Sequence, residues 1–463
     1  MRANRASLIL PVENQVRELE AKVLLACVAA ERGFRVFVGS RREVEFRMAS
    51  FPRSIYLGKS LTNRSKRVLR MLRKLGHGVA ALDEEGAVHY QPEQYYARRI
   101  SPKTLAEVST LLAWGPDNAE LFHKHPAYAG TPVFITGNPR GDFLRRELRP
   151  LFQDEIDRIR ARHGDFILVN TNFSGVNAYL EIMNFLRPGT EPGDPERFGK
   201  SGTRYSPEFA EGLAAHKAAL FEHFKRMVPA LAAAFPDRAI VVRPHPSERR
   251  EPWEEATASL GNVDVVHKGN VVPWLCAASV LIHNGCTTAV EAFALQVPAV
   301  TYQPVTAEAF DLALPNALSY GSHDLEELCD AVARVLRGER DYADTPERHR
   351  LLDQFIAART GPLASDRIVD ALLPRAQQLL DAPRPWLPLR LFGRIAAANR
   401  RRRKRKREAQ EGDRNDPRYQ QHRYQGIALA DLRIFHTRLR AALGRFDGLE
   451  IRALKGGIFE FRG

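Results

Sequence analysis

The stretch Val280-Leu-Ile-His-Asn-Gly-Cys-Thr-Thr-Ala-Val-Glu-Ala-Phe-Ala-Leu-Gln-Val-Pro-Ala-Val300 decides the fold. An apolar run ends in a turn of small residues, a helix follows over Thr288–Leu295, and a second apolar run opens at Ala299. This strand–helix–strand rhythm extends in both directions. Before it lie Phe166–Val169, the helix Pro207 to about Phe235, Ala239–Val242 and Val263–Val266; after it lies the helix Leu325–Leu336. The first 160 or so residues repeat the pattern, with strands at Ser7–Val12, Phe34–Val38, Ser54–Leu57, Val79–Leu82, Leu111–Trp114 and Val133–Thr136. Gly33 ends a helix running from Arg17 to Arg32, Ser65–Leu75 reads as a basic amphipathic helix, and a charged helix is expected over Asp142–His163. Repeated β-α alternation implies parallel strands covered by helices on both faces. The fold class is therefore α/β: two Rossmann-like, doubly wound domains in tandem, facing a cleft, with ligands beyond the carboxyl ends of the strands.

The expected organisation is a first domain over 1–163, a second over 164–345, closing helices over 346–382, and a basic, partly disordered extension over 383–463. The chain has 463 residues and a net charge of +14. Residues 384–410 alone hold eleven Lys/Arg and one acid, which leaves +4 for the rest, so a whole-surface nucleic-acid binder is disfavoured and no specific nucleic-acid partner is expected. The longest nearly apolar stretch, Val271–Ile282, is too short to span a bilayer. No secretory signal is visible, and the four cysteines lack metal or disulfide spacing, which suits a reducing cytoplasm. His77, His123, His125, His163 and His267 have no partners at metal-ligand spacing, so no metal is expected.

Two elements carry chemistry. In Val241-Val-Arg-Pro-His-Pro-Ser-Glu248 a buried strand runs into a histidine held between two prolines, with Arg243 and Ser247 beside it. Arg243 and His245 suit phosphate oxygens, although a turn histidine capping the next helix reads equally well. In the second element, Asn284 to Thr288 form a turn and a helix start. Gly285 permits close backbone approach, Thr287 or Thr288 can cap the helix, and the exposed N–H groups favour an anion. Glu291, one turn on, can accept from ribose hydroxyls. Asn170, Thr171 and Asn172, at the first strand end of the second domain, can line the same site.

The pairing of a His-Pro turn with a strand–turn–helix carrying Glu and then Pro-Ala-Val resembles the donor half of GT-B glycosyltransferases of bacterial surface polysaccharide, namely capsule Kdo transferases, polysialyltransferases and teichoic-acid polymerases. Leu8–Lys22, Leu82–Gly86, Ala113–Pro116 and Thr136–Asp142 are similar to the family of surface carbohydrate biosynthesis proteins, over roughly residues 7–340. The resemblance implies a nucleotide-sugar donor, CMP-linked by pattern and needing no metal, with its phosphate on Arg243, His245, Gly285, Thr287 and Thr288 and its ribose on Glu291. It implies a glycan or lipid-linked glycan acceptor. Where teichoic-acid enzymes carry Asp-Tyr-Ser-Ser, this chain has His283-Asn284-Gly285-Cys286-Thr287-Thr288, which weakens glycerol phosphate transfer as the reaction.

On the acceptor side, Glu13 follows a strand and precedes Asn14 and Arg17, where a carboxylate can act as base in an inverting transfer or simply favour a helix start. Asp83, Glu84 and Glu85 follow another strand. Asp142, in Gly137–Asp142, is expected to shape a hinge; that motif also resembles one in UDP-GlcNAc 2-epimerases, which makes an epimerase the alternative enzyme. A non-catalytic scaffold at the membrane is the third reading. Residues 389–407 place Leu389, Leu391, Phe392 and Ile395 ahead of Arg400, Arg401, Arg402, Arg403, Lys404, Arg405, Lys406 and Arg407, a composition that suits an anionic membrane surface. A peripheral location at the inner face of the plasma membrane follows. Leu429–Leu443 is one further helix candidate.

Overall fold

The computed structural model describes residues 6–189, 191, 194–267, 269–339, 344–407 and 416–463. The chain forms two compact units, the first made of Met1–Ala87, Arg99–Leu151 and Asp353–Gly463, the second of Val88–Arg98 and Phe152–Leu352. The expected boundary at 163 thus falls inside the second unit, and the chain returns to the first unit at Asp353, near the end of the helix Pro346–Phe355.

In the first unit β1 (Ser7–Val12), β2 (Arg35–Ser40), β3 (Ile55–Gly58), β4 (Gly78–Leu82), β5 (Thr110–Ala113) and β6 (Val133–Ile135) run parallel in the order β2-β1-β3-β4-β5-β6. Every residue of β1 is buried, which explains why its sequence is continuously apolar instead of alternating. The expected single helix over Asp142–His163 is broken into a short turn of helix at Pro139–Asp142, a 3₁₀ segment at Arg146–Phe152 and a helix at Gln153–His163. Pro150 lacks an N–H and lies inside the 3₁₀ segment, so a continuous α-helical ladder cannot form there.

The second unit holds β7 (Phe166–Asn170), a two-residue hairpin of β8 (Leu186–Arg187) and β9 (Arg197–Phe198), then β10 (Ala239–Arg243), β11 (Val263–Val265), β12 (Val280–His283), β13 (Ala299–Tyr302) and β14 (Tyr320–Ser322). Its six-stranded sheet is parallel in the order β11-β10-β7-β12-β13-β14. The strand order reverses between β7 and β12, so the loops after these two strands diverge to opposite sides of the sheet and leave room for a ligand between them. Ile167, Val169, Ile240, Val242, Val280 and Ile282 pack with Phe224, Met227, Val228 and Leu231 of the helix Pro207–Ala234 into one core.

The C-terminal segment corrects an expectation. Over the described residues of 383–463 the chain is helix and hairpin, while 408–415 lie outside the described residues. Leu387–Arg407 is one helix and Leu429–Leu443 another, and β15 (Glu450–Leu454) with β16 (Ile458–Arg462) form an antiparallel hairpin. β16 then pairs antiparallel with β2, extending the first sheet to eight strands. Ile451, Ile458, Phe459 and Phe461 are buried there. Alternation in Ile458-Phe-Glu-Phe-Arg462 after Lys455-Gly-Gly457 is an ordinary hairpin signal, with both glycines at positive φ.

The helix Leu387–Arg407 buries Gly393 and Ala397 and sends Arg400 and Lys404 to the Glu45 carboxylate, the latter at 3.3 Å. Arg41 also pairs with Glu45, at 2.7 Å. Burial opposes ionisation of Glu45, yet Arg41, Lys404 and Arg400 outweigh it and hold the pKa down to about 2. A depressed carboxylate contributes stability that is present above its ordinary value of 4.5 and lost as pH falls through about 2. Denaturant melts are therefore expected to show wild type ahead of Glu45→Gln by about 3 kcal/mol at neutral pH, the gap closing between pH 4.5 and 2. A gap that does not vary with pH contradicts the assignment.

Candidate functional site

At the carboxyl ends of three neighbouring strands of the second unit, Arg243, Asn170 and His283 stand in one row: Asn170 is in register with Arg243 on β10 and with His283 on β12. The chain leaves each strand through residues singled out from sequence, namely Pro244-His245, Thr171-Asn172 and Asn284-Gly285. Asn170 and Asn284 are each only 4% exposed, and neither the Oδ1 nor the Nδ2 atom of either amide meets a hydrogen-bond partner among the described residues. A buried amide without partners costs stability unless something else satisfies it. These two amides lie at the reversal point of a doubly wound sheet, the place where a polar ligand can satisfy them.

The cationic side of the site comes from β10. Arg243 is buried, donates from Nη2 to the Gly269 carbonyl at 3.0 Å and lies over the Trp274 ring at 5.0 Å. Burial lowers its pKa to about 9, which still leaves the guanidinium charged at neutral pH. The His245 Nδ1 atom accepts the Ser247 N–H at 3.2 Å, so in the neutral ring the proton is on Nε2. Ser247 contributes through this backbone bond and through its carbonyl, which accepts the Tyr179 N–H at 2.7 Å.

Glu248, missed at the level of sequence, ties these loops together. Its carboxylate is 1% exposed and accepts from Thr171 Oγ1 (2.9 Å), Phe173 N (2.7 Å), His245 N (3.2 Å) and Trp253 Nε1 (3.4 Å). Burial pushes its pKa up to about 7 against the pull of these four donors. The Thr171 hydroxyl is thus committed to Glu248 and does not line the site, which corrects its expected role; Asn172 remains half-buried on the same loop.

On the β12 side, Gly285 has φ +74°, a left-handed conformation that favours glycine, and its N–H donates to His283 Nδ1 at 2.9 Å. His283 is fully buried, its Nε2 lies 2.8 Å from Ser319 Oγ, and burial lowers its pKa to about 3. It is a neutral structural histidine. The helix begins one residue earlier than expected, spanning Thr287–Ala294 with Cys286 at the N-cap, so neither Thr287 nor Thr288 is the cap. No side-chain oxygen caps this helix. Thr288 Oγ1 instead pairs with the Cys286 thiol, which burial pushes up to about 11 and keeps neutral. Thr287 is half-buried at the first helical position, and Glu291 is buried one turn on.

The carboxylates of the first unit expected on the acceptor side look different. Glu13 is ringed by Arg423 (2.7 Å), Lys59 (2.9 Å) and Arg41 (3.2 Å). Burial opposes ionisation, but Lys59, Arg423 and Arg41 hold this carboxyl well below the usual range. A general base needs a pKa near its working pH, so Glu13 is an ion-pair anchor and not the expected base. Asp83 is held by Arg99, its Oδ2 2.9 Å from Nε; Glu84 is held by Lys22 at 2.7 Å, its pKa lowered to about 2 chiefly by Lys22 and Lys59 against the effect of burial. Glu85 pairs with Arg17 at 3.0 Å. Asn14 is buried at the start of the helix Gln15–Glu31, and the Glu18 carboxylate accepts from the N–H groups of Glu13 (2.8 Å) and Asn14 (3.3 Å). Asp142 is fully buried and accepts from Ala364 N (2.7 Å), Ser365 N (3.0 Å) and Ser365 Oγ (2.8 Å), anchoring the start of the helix Ala364–Asp381. Burial raises it to about 6.

Among the eight consecutive bases, Arg400 and Lys404 face inward on Glu45, which removes them from the expected membrane set. Arg402, Arg403, Arg405, Lys406 and Arg407 are exposed, and Arg401 is half-buried. Among the described residues no group of three His, Cys, Asp or Glu is placed to hold a metal ion, and no helix is long and apolar enough to cross a membrane.

No family model and no curated protein matches the chain by sequence. Solved structures do match by shape. The wall teichoic acid polymerase TagF superposes with a TM-score of 0.51 at 11% identity, over 81% of this chain and 90% of the other. The architecture is that of the GT-B fold. The UDP-GlcNAc 2-epimerase from Neisseria meningitidis superposes more loosely, with a TM-score of 0.47 at 14% identity, over 80% of this chain and 99% of that one. The GT-B assignment rests on the two Rossmann-like sheets, each with its own strand-order reversal.

Proposed function

We propose that the chain is a nucleotide-sugar-dependent glycosyltransferase of cell-surface polysaccharide synthesis, with the donor phosphate bound at the carboxyl ends of β7, β10 and β12. The observation that carries this reading is the pair of partnerless buried amides, Asn170 and Asn284, between a charged arginine and a helix without an oxygen cap. Arg243 would neutralise phosphate charge, the Nε2–H of His245 would donate to a phosphate oxygen, the helix N–H groups would take further oxygens, and Glu291 would accept from the ribose. A CMP-linked acidic sugar such as Kdo or a nonulosonate is the donor we favour, since no cation is then needed to bridge a pyrophosphate. The base that activates the acceptor is none of Glu13, Asp83 or Glu84, all of which are ion-paired. The motif Thr136–Asp142, which suggested an epimerase, is spent on structure: Asp142 anchors a helix, and the Asn138 side chain accepts from Arg140 N at 2.9 Å.

The test is calorimetry with CMP, CDP, UDP and GDP. CMP is expected to bind, and His245→Ala to weaken it by ~1.5–3 kcal/mol, the worth of a charged hydrogen bond. Binding by none of the four returns the protein to the scaffold reading.

Membrane docking belongs to the same proposal. Trp386 is 77% exposed, and Leu387, Leu391, Phe392 and Ile395 are exposed with it, next to the outward bases of the same helix. Lys74 of the helix Lys66–Leu75 lies 4.0 Å over the Phe392 ring and adds its charge. An apolar ridge of this kind beside cations fits a layer of anionic lipid, with roughly 1 kcal/mol per base near the surface. Co-sedimentation with phosphatidylglycerol vesicles is expected, and is expected to be lost in Trp386→Ser/Phe392→Ser/Ile395→Ser. Equal sedimentation of wild type and variant contradicts docking through this face.

A further inference from the structure

The helix Pro207–Ala234 carries a lysine that the donor site as described does not use. Lys217 is 5% exposed, and its ammonium makes no hydrogen bond or ion pair with any described residue. Two groups lie within electrostatic reach of it, Asp311 and Cys286. The Asp311 carboxylate is already engaged: Oδ1 is 3.0 Å from His216 Nε2, and Oδ2 accepts the Ala307 N–H at 2.8 Å. The Cys286 thiol is neutral and supplies no counter-charge. Cys286 is also the residue from which the helix Thr287–Ala294 starts, so the ammonium shares its surroundings with the positive end of a helix dipole.

A cation beside a helix N-terminus is the arrangement a fold avoids unless an anion joins them. Burial lowers Lys217 to about 8, so most of it is protonated at neutral pH and the positive charge is present. Asn284, whose amide has no partner, precedes Cys286 by two residues on the same turn. Asp311 supplies a negative charge within reach but is not hydrogen-bonded to Lys217, so a purely packing role for the aliphatic stem does not account for an ammonium whose N–H donors are all left open.

We propose that Lys217 is a phosphate-binding residue of this site, joining the N–H groups of the helix Thr287–Ala294 in holding the phosphate oxygens of a nucleotide. The inference rests on the reading of the site as a nucleotide-phosphate site. It adds a contact from the helix Pro207–Ala234, which the strand-end loops cannot supply.

The test uses the full chain with Lys217→Met, which keeps the stem and removes the charge, and Lys217→Arg, which keeps the charge. Calorimetry with CMP and with cytidine separates phosphate from base and ribose. In Lys217→Met, CMP affinity is expected to fall at least tenfold with cytidine affinity unchanged, and Lys217→Arg is expected to restore most of the loss. A Met variant that binds CMP as wild type does overturns the proposal. A second arm needs no nucleotide: amine acetylation read at Lys217 by mass spectrometry is expected to be suppressed by inorganic phosphate. If wild type binds neither CMP nor cytidine, the nucleotide reading fails and the phosphate arm alone decides. Protection of Lys217 by phosphate then upholds an anion site, and unprotected acetylation overturns it.

Discussion

Replacing Glu248 by alanine is expected to destabilise the second unit by roughly 3–5 kcal/mol and to abolish nucleotide binding. Four donors converge on this carboxylate, from Thr171, Phe173, His245 and Trp253, and the group is almost wholly buried. Truncation leaves those donors without acceptors, and each buried donor left unsatisfied costs about 1–3 kcal/mol before relaxation. Two loops separated by more than 70 residues in sequence are registered by this one side chain, so its loss also frees the His245 turn. Glu248→Gln is expected to be milder, because one amide oxygen can still accept while the NH₂ cannot. Urea melts measure both. A loss below about 1 kcal/mol for the alanine variant would mean that the loops hold themselves in place.

Asn284→Leu is expected to show the opposite balance, with binding lost and the unliganded protein no less stable. Leucine shares asparagine's heavy-atom count and its branching at Cγ, is bulkier by its two methyl groups, and brings no polar atom, so it relieves a buried amide that finds no partner in the protein. The gain in stability should be on the order of 1 kcal/mol. Nucleotide affinity should drop by at least tenfold, since the ligand loses the group that the fold keeps unsatisfied for it. Thermal melts and calorimetry on one preparation give both numbers. A variant that melts lower yet binds normally would assign Asn284 to the scaffold.

Much of the fold is legible because the central strands of both sheets are buried along their whole length. Phe166–Val169 and Val280–Ile282 are continuous apolar runs, and each ends at the polar residue where the strand ends, Asn170 or His283. The donor-side candidates follow from that alignment of strand ends. The residues that bind the loops together are not legible in the same way. Glu248 reads as an acid at a helix start, and nothing local announces its bonds to Thr171 and Phe173. Lys217 sits in a long helix where a lysine is ordinary until burial is known. Glu13 misled for the converse reason: a carboxylate after a strand suits catalysis, but Lys59 and Arg423, remote in sequence, neutralise it. The hairpin Glu450–Arg462 is within reach of the sequence, since its glycine turn and alternation are local signals; the partly disordered reading of 383–463 picks out the helix Leu429–Leu443 and passes over the hairpin.

A crystal of the full chain soaked with CMP answers the main question without relying on any variant. Phosphate density is expected between the ends of β7 and β12, with Asn170 and Asn284 in hydrogen bonds and His245 within reach. Nucleotide bound elsewhere on the chain, with both amides still lacking partners, would contradict the assignment of this site.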